Sequence, residues 1–240
     1  IKYDKNGEII KEGIFKNDEF LHVEIRDKKK SIKKSNLPEC PPNKFINCFG
    51  AFTFPSGDEY VGEWGNMQFH GKGTYTYSSG GKYIGSWVDD RKHGKGFSVD
   101  AQGNSYEGEW KDGKMEGEGI YKFKSGNTYR GTFLKGKKHG QGNFTYNNGD
   151  SYEGDFRFGN MEGHGVYKFA NGNRYHGEWK NGKSHGKGKY IFKNGNTYIG
   201  DFSNGMENGK GVFTYSNGEK YEGDFQNGKR TGMGIFSFKN

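Results

Sequence analysis

The sequence predicts an all-β fold, an elongated single-layer array of antiparallel β-hairpins, solenoid-like, with an open aromatic groove. Three observations predict it. A tyrosine recurs every 23 residues, at Tyr60, Tyr83, Tyr106, Tyr129, Tyr152, Tyr175, Tyr198 and Tyr221, with no insertion. Within each repeat, apolar and polar residues alternate with period two, the signature of a strand with one buried face. The alternating runs are broken by Asn-Gly and Asp-Gly pairs, which supply the positive φ angles of tight hairpin turns. A repeat this short buries its aromatics only against its neighbours, which implies an array with a surface rather than a globule with a pocket.

Each repeat then reads as two strands. Tyr106-x-Gly108-x-Trp110 places three residues on one face of a leading strand, and Gly117-x-Gly119-x-Tyr121-x-Phe123 does the same on a return strand. The intervening residues, Glu107, Glu109, Lys111, Glu118 and Lys122, form a wet face. Asp112-Gly113, Asn181-Gly182, Asn204-Gly205 and Asn227-Gly228 join the two strands. Ser125-Gly126, Asn148-Gly149, Asn171-Gly172, Asn194-Gly195 and Asn217-Gly218 join one repeat to the next. The strand glycines alternate with aromatics on the same face, so a neighbouring ring is expected to lie flat over a glycine floor. Two strands per repeat at roughly 4.8 Å give a rise of about 10 Å, and eight repeats a rod of roughly 75 Å.

Composition agrees. Of 240 residues only 30% are hydrophobic but 17% are aromatic, and glycine, at 43, is about two and a half times its usual ~7% share. A disordered chain lacks such aromatics, and a period of 23 excludes collagen. The net charge is +8, of which residues 1–57 carry +3 (11 Lys and Arg against 8 Asp and Glu) and the array +5. That diffuse excess allows acidic partners without specifying one. Two cysteines, Cys40 and Cys48, make no disulfide framework, so a reducing compartment is the simpler reading. No apolar run approaches 18 residues. The start at Ile1 and the stop at Asn240, inside a repeat, suggest a fragment of a longer chain.

Tyr-x-Gly-x-Trp/Phe-x-x-Gly-x-x-x-Gly-x-Gly resembles the MORN repeat (membrane occupation and recognition nexus). The match spans residues 60–238, seven full copies and one truncated copy. Phe replaces Trp at Phe133, Phe156, Phe202 and Phe225. The turn glycine is replaced by Met67 and by polar residues beside Arg91, and Phe158-Gly159 reads as displaced by one. The resemblance implies a groove that holds partner helices or peptides, homodimers or end-to-end association, and roles in cilia, axonemes, radial spokes and other cytoskeletal assemblies. It also implies two alternatives, a membrane-surface module for anionic phospholipids and a regulatory arm of a larger enzyme.

Ahead of the array, residues 1–44 read as a degenerate repeat (Asn6-Gly7, then Gly13-Ile-Phe15) plus a basic, proline-containing linker over 28–44. Lys28, Lys29, Lys30, Lys33 and Lys34 are candidate contacts for an acidic partner or anionic lipid, against a solvated linker. Residues 45–59 read as the back half of an earlier repeat, opening an array over 45–240.

Candidate chemistry is sparse. His70, His93, His139 and His185 share a column, but about 10 Å between repeats is too far for one zinc, whose ligands stand about 2.0–2.1 Å away. Gly71-Lys-Gly73 and Gly94-Lys-Gly96 lack the strand and helix context of a phosphate loop. Glu63, Glu109, Asp155, Glu178, Asp201 and Asp224 are expected on the wet face, for solubility and cross-strand pairing with lysines. No catalytic residue, metal or cofactor is expected, and no nucleic-acid partner. The expected function is a non-catalytic scaffold, cytoplasmic and cytoskeleton- or cilium-associated. Its groove would be lined by the leading-strand rings Tyr60, Trp64, Tyr83, Trp87, Tyr106, Trp110, Tyr129, Phe133, Tyr152, Phe156, Tyr175, Trp179, Tyr198, Phe202, Tyr221 and Phe225, with the return-strand Tyr and Phe as core.

Overall fold

The structure, a computed structural model, describes residues 35–239 together with four short strands ahead of them, Lys2–Tyr3, Ile9–Lys11, Gly13–Lys16 and Glu19–His22. Lys28, Lys29, Lys30, Lys33 and Lys34, and the Asn6-Gly7 echo, lie outside the described residues. The chain divides into two compact parts, residues 1–101 with 110–113, and residues 102–109 with 114–240.

Every described element from Cys48 onward is a strand. In the first part Cys48–Thr53, Glu59–Gly65, Gln68–Thr76, Lys82–Val88 and Arg91–Val99 pair antiparallel, each with its sequence neighbour. In the second part the same holds from Lys114–Lys122 through Thr128–Leu134 to Lys220–Gln226 and Lys229–Ser237. Pairing only with neighbours in sequence follows from short turns. In Asp112-Gly113, Asn181-Gly182, Asn204-Gly205 and Asn227-Gly228 both residues have positive φ, as a two-residue hairpin turn requires. Gly159 is not displaced: it occupies the turn-glycine place with φ +102, and Phe158, at φ +49, stands where other repeats have Asp, Asn or Lys135. Met67 and Asp90 carry positive φ without being glycine.

A band of paired glycines crosses the strands of each part. Gly62 faces Gly73, which faces Gly85; Gly154 faces Gly165, which faces Gly177. With no Cβ on either strand, the leading-strand tyrosine lies over the pair. A Cβ on Gly165 would stand 2.5 Å from Tyr152 Cε2. The tyrosine hydroxyl then donates to the carbonyl three residues on, as Tyr60 does to Glu63 at 2.9 Å and Tyr152 to Asp155 at 3.0 Å. Burial pushes the Tyr60, Tyr83 and Tyr152 hydroxyls well above the ordinary tyrosine range, and that of Tyr198 to about 12.

Each hairpin carries a bulge. Gly62 pairs with Gly73 but Glu63 with His70, so Gly71 and Lys72 have no partner on that side. Gly71, at φ +60, makes the turn, and the Glu63 carboxylate accepts the Lys72 amide left over, at 3.2 Å. Asp155, Glu178 and Asp201 do the same for His164, Lys187 and Lys210. The acidic column is therefore a set of bulge caps as well as a wet face.

The turns between repeats are stapled along the array. Asn127, Asn173 and Asn196 each accept the backbone N–H twenty residues on, from Asn147, Lys193 and Ser216. Asp150 accepts both Ala170 N–H at 2.7 Å and Tyr167 O–H at 2.8 Å, and these hydrogen bonds hold its carboxyl below the usual carboxylate range. A depressed folded pKa contributes stability above the unfolded value of about 3.9 that is lost as pH falls through the folded pKa. Asp150→Ala should therefore cost about 1 kcal/mol at neutral pH and little at strongly acid pH. Asp150→Asn should keep the amide staple and flatten that acid limb. Urea denaturation of both variants across pH 2–7 checks this.

At the amino-terminal edge the chain caps itself. Cys48–Thr53 pairs with Glu59–Gly65 in the register of a return strand, Gly50 against Gly62. Its other edge is covered by residues 38–40: Phe49 N–H donates to Pro38 O at 2.8 Å and Cys40 N–H to Phe49 O at 2.9 Å. Cys40 and Cys48 form a disulfide, with Cα atoms 4.9 Å apart, where a reducing compartment had pointed to free thiols. The pairing of residues 38–40 with Phe49 brings them together, a contact their number does not reveal. Prolines and a crosslink close an edge that would otherwise template further pairing.

Candidate functional site

The aromatic face carries two lanes of rings. Leading-strand and return-strand residues directly opposite one another share this face, Tyr60 with Tyr75 and Tyr152 with Tyr167. The sequence predicts the leading-strand rings as groove lining and the return-strand rings as core. Burial reverses that division. All sixteen leading-strand rings are buried: Tyr60, Tyr83, Tyr106, Tyr129, Tyr152, Tyr175, Tyr198 and Tyr221 between 0% and 9% exposed, and Trp64, Trp87, Trp110, Phe133, Phe156, Trp179, Phe202 and Phe225 between 3% and 8%. In the second part the tyrosines from Tyr129 to Tyr198 are floored by glycine and walled edge-on by the large ring of their own repeat and of the next, as Tyr152 is by Phe156 at 5.1 Å and Trp179 at 5.0 Å. Each Trp indole spends its N–H on a glycine carbonyl of the preceding repeat, Trp87 on Gly73 at 3.2 Å and Trp179 on Gly165 at 3.2 Å.

The return-strand rings are the ones that meet solvent. In the second part they form an unbroken ladder. Tyr121 and Phe123 lie 4.6 Å apart, Phe123 and Phe144 5.8 Å, Phe144 and Tyr146 4.5 Å, Tyr146 and Tyr167 5.9 Å. The alternation continues through Phe169, Tyr190, Phe192, Phe213, Tyr215 and Phe236 to Phe238. Except for buried Phe144, these rings are half-buried or exposed. The first part has a shorter ladder, Phe52, Phe54, Tyr75 and Tyr77, and in the next repeat Ser98 and Asp100 hold the equivalent places.

Cations stand beside the ladder. Lys138 Nζ lies 4.4 Å from the Phe144 centroid and 5.2 Å from that of Phe156, and burial lowers its pKa. Lys92 Nζ lies 5.0 Å from Trp110 and 5.1 Å from Tyr83. Arg230 stacks 5.3 Å over Tyr221 and donates to the Tyr215 hydroxyl at 2.9 Å. The only sign of these three in the sequence is that each stands second in a dibasic pair after a hairpin turn.

The other sequence candidates fall elsewhere. His70 pairs with Glu63 at the bulge and lies 3.9 Å from Asp89, while His93 and His139 each hold a buried Nδ1 without a hydrogen-bond partner. No three His, Cys, Asp or Glu among the described residues are placed to hold a metal ion. Cross-strand ion pairs do form, Lys187 with Asp201 at 2.6 Å and Lys210 with Asp224 at 2.8 Å. Among the described residues no helix is long and apolar enough to cross a membrane.

Fold and face together define a tandem β-hairpin repeat protein, an interaction module with a ring-lined face. The chain belongs to the MORN-repeat family: the MORN repeat model matches eight consecutive copies, residues 60–82, 83–105, 106–128, 129–151, 152–174, 175–197, 198–220 and 221–240. No curated protein matches the chain. Among solved structures it is similar to the SAS-4 (dCPAP) TCP domain of Drosophila melanogaster in complex with a proline-rich motif of Ana2 (dSTIL), at 13% identity, covering 77% of this chain and 96% of that one, TM-score 0.40. It is also similar to the TCP10c domain of Drosophila melanogaster Sas-4 (13% identity, 71% and 94% covered, TM-score 0.37) and the TCP10 domain of Danio rerio CPAP (12% identity, 79% and 99% covered, TM-score 0.26). At TM-scores this low the likeness carries no statement about function.

Proposed function

We propose that this array is a non-catalytic scaffold that holds an extended peptide segment of a partner protein along the return-strand ladder. The ladder from Tyr121 to Phe238 carries the reading. Rigid, amphipathic rings left half-open on a continuous face suit partner binding, because they offer contact area at small entropic loss.

Pitch selects the occupant. Two strands at roughly 4.8 Å set one repeat at about 9.6 Å. Three residues of polyproline II rise about 9.3 Å, one full turn, so every third residue meets an equivalent rung. An α-helix covers 9.6 Å in about 6.4 residues, which is no whole number of turns, and drifts off the rungs. An extended segment in the polyproline conformation, lying across the strands, therefore fits where a helix does not, and aromatic-lined grooves take such segments elsewhere. A cytoskeletal or ciliary assembly is the proposed setting.

The test is fluorescence anisotropy of a labelled 15-residue (Glu-Pro-Pro)5 peptide titrated with the protein, beside a helical peptide of equal length and charge. Saturable binding of the first above the second is expected. Equal affinities, or none for either, would overturn the reading.

A further inference from the structure

Three cations on the ring face have no carboxylate. The residue opposite each leading-strand Trp or Phe on the return strand is Lys92 against Trp87, Lys138 against Phe133 and Arg230 against Phe225. In other repeats the same place holds Phe69, Met115, Met161, Ser184 or Glu207. The ion pairs among the described residues join His70 to Asp89, Lys187 to Asp201 and Lys210 to Asp224, so none engages these three. Each is preceded by a second basic residue, Arg91, Lys137 or Lys229.

Two of the three border clefts at the same place in their repeats. One, of about 410 Å³, lies between the Phe213–Tyr215 rungs, Phe225 and Arg230. The other, of about 330 Å³, lies between Tyr75, Tyr77, Trp87 and Lys92, with Asp90 at its margin. Asp90 accepts the Phe69 amide at 2.7 Å and is thereby engaged. A lysine held against rings is already stripped of part of its water, so a carboxylate arriving there gains a charge-assisted bond at reduced desolvation cost.

We infer that Lys92, Lys138 and Arg230 are seats that read acidic side chains, so that the ladder selects an acidic, polyproline-type segment over a neutral or basic one. This rests on the extended-peptide reading proposed above and adds the partner's charge. Within the second part, Lys138 and Arg230 are four repeats apart. At about 9.6 Å per repeat that is about 38 Å, or roughly twelve residues of polyproline II. A segment with an acid at every third residue reaches both, and Glu207, between them on the same face, opposes only the one acid that falls a repeat before the second.

The experiment compares (Glu-Pro-Pro)5, (Gln-Pro-Pro)5 and (Lys-Pro-Pro)5 on the wild-type chain and on the Lys138→Met, Arg230→Met double variant. Methionine already occupies this place as Met115 and Met161, so the fold tolerates it. The glutamate peptide should bind about tenfold or more tighter than the glutamine peptide, the lysine peptide weakest, with the margin shrinking as salt rises. In the double variant, where Lys92 alone remains, the glutamate peptide should lose most of its margin over the glutamine peptide while the glutamine peptide is unchanged. Equal wild-type affinity for glutamate and glutamine peptides, or equal loss of both in the variant, overturns the acid-reading seats and leaves the extended-peptide reading standing. No binding by any peptide overturns both. Binding only to vesicles containing anionic lipid, abolished in the double variant, overturns the peptide partner in favour of a membrane surface.

Discussion

Gly165→Ala should destabilise the array by about 3 kcal/mol or more, in the range of severe core overpacking. The added methyl would stand 2.5 Å from Tyr152 Cε2 and 2.6 Å from its Cζ. Those atoms belong to a ring walled by Phe156 and Trp179, so it has nowhere to move. Backbone strain plays no part, because Gly165 has no positive φ. Gly159→Ala is the control. That glycine has φ +102 and open space around its Cβ position, so its replacement costs only the left-handed conformation, about 1 kcal/mol. Because each repeat touches only its neighbours, breaking one interface should also split the cooperative transition. Guanidinium denaturation of both variants reads these effects. A Gly165→Ala cost no larger than that of Gly159→Ala would mean that the tyrosine does not lie on the glycine pair.

The second large effect is on binding. Phe169 and Phe192 are outer rungs, each in ring contact with the rungs beside it and half-open to solvent. Replacing both by Ala removes equivalent rungs of two successive repeats, one on each side of Tyr190. Affinity for (Glu-Pro-Pro)5 should fall about 100-fold, the scale of two binding hot spots. Tyr152→Phe, which deletes a hydroxyl beneath the face, should leave that affinity within about twofold and cost about 1 kcal/mol of stability. Anisotropy and denaturation on the same samples separate the two effects. Equal affinity losses in both variants would mean that binding follows stability rather than the rungs.

Much of the fold was legible in the sequence because its causes are local. A 23-residue period, alternation within it and paired Asn-Gly turns leave few architectures open, and the glycine floor follows from glycines facing one another with a ring nearby. The lane that meets solvent was not legible. Tyr152 and Tyr167 sit directly opposite, on one face, in strands of the same period. Burial falls on Tyr152 because Trp179 of the next repeat closes over it, a contact that periodicity does not encode. The bulge caps escaped for a similar reason. Glu63 looks like a wet-face acid until the left-handed Gly71 turns the Lys72 amide towards it. The Cys40–Cys48 cap escaped because Cys40 lies outside the repeats and Cys48 only in the partial one ahead of Tyr60, so no recurring column holds a cysteine.

The central claim is that return-strand rings receive the partner while leading-strand rings hold the array together. Carbon-13 aromatic NMR of the labelled protein, titrated with (Glu-Pro-Pro)5, tests it most directly. The account predicts shifts at Phe123, Phe169 and Phe192 that saturate together, with the Tyr152 and Tyr175 rings unmoved. Saturating shifts at Tyr152 and Tyr175 with those three phenylalanines unchanged would contradict it.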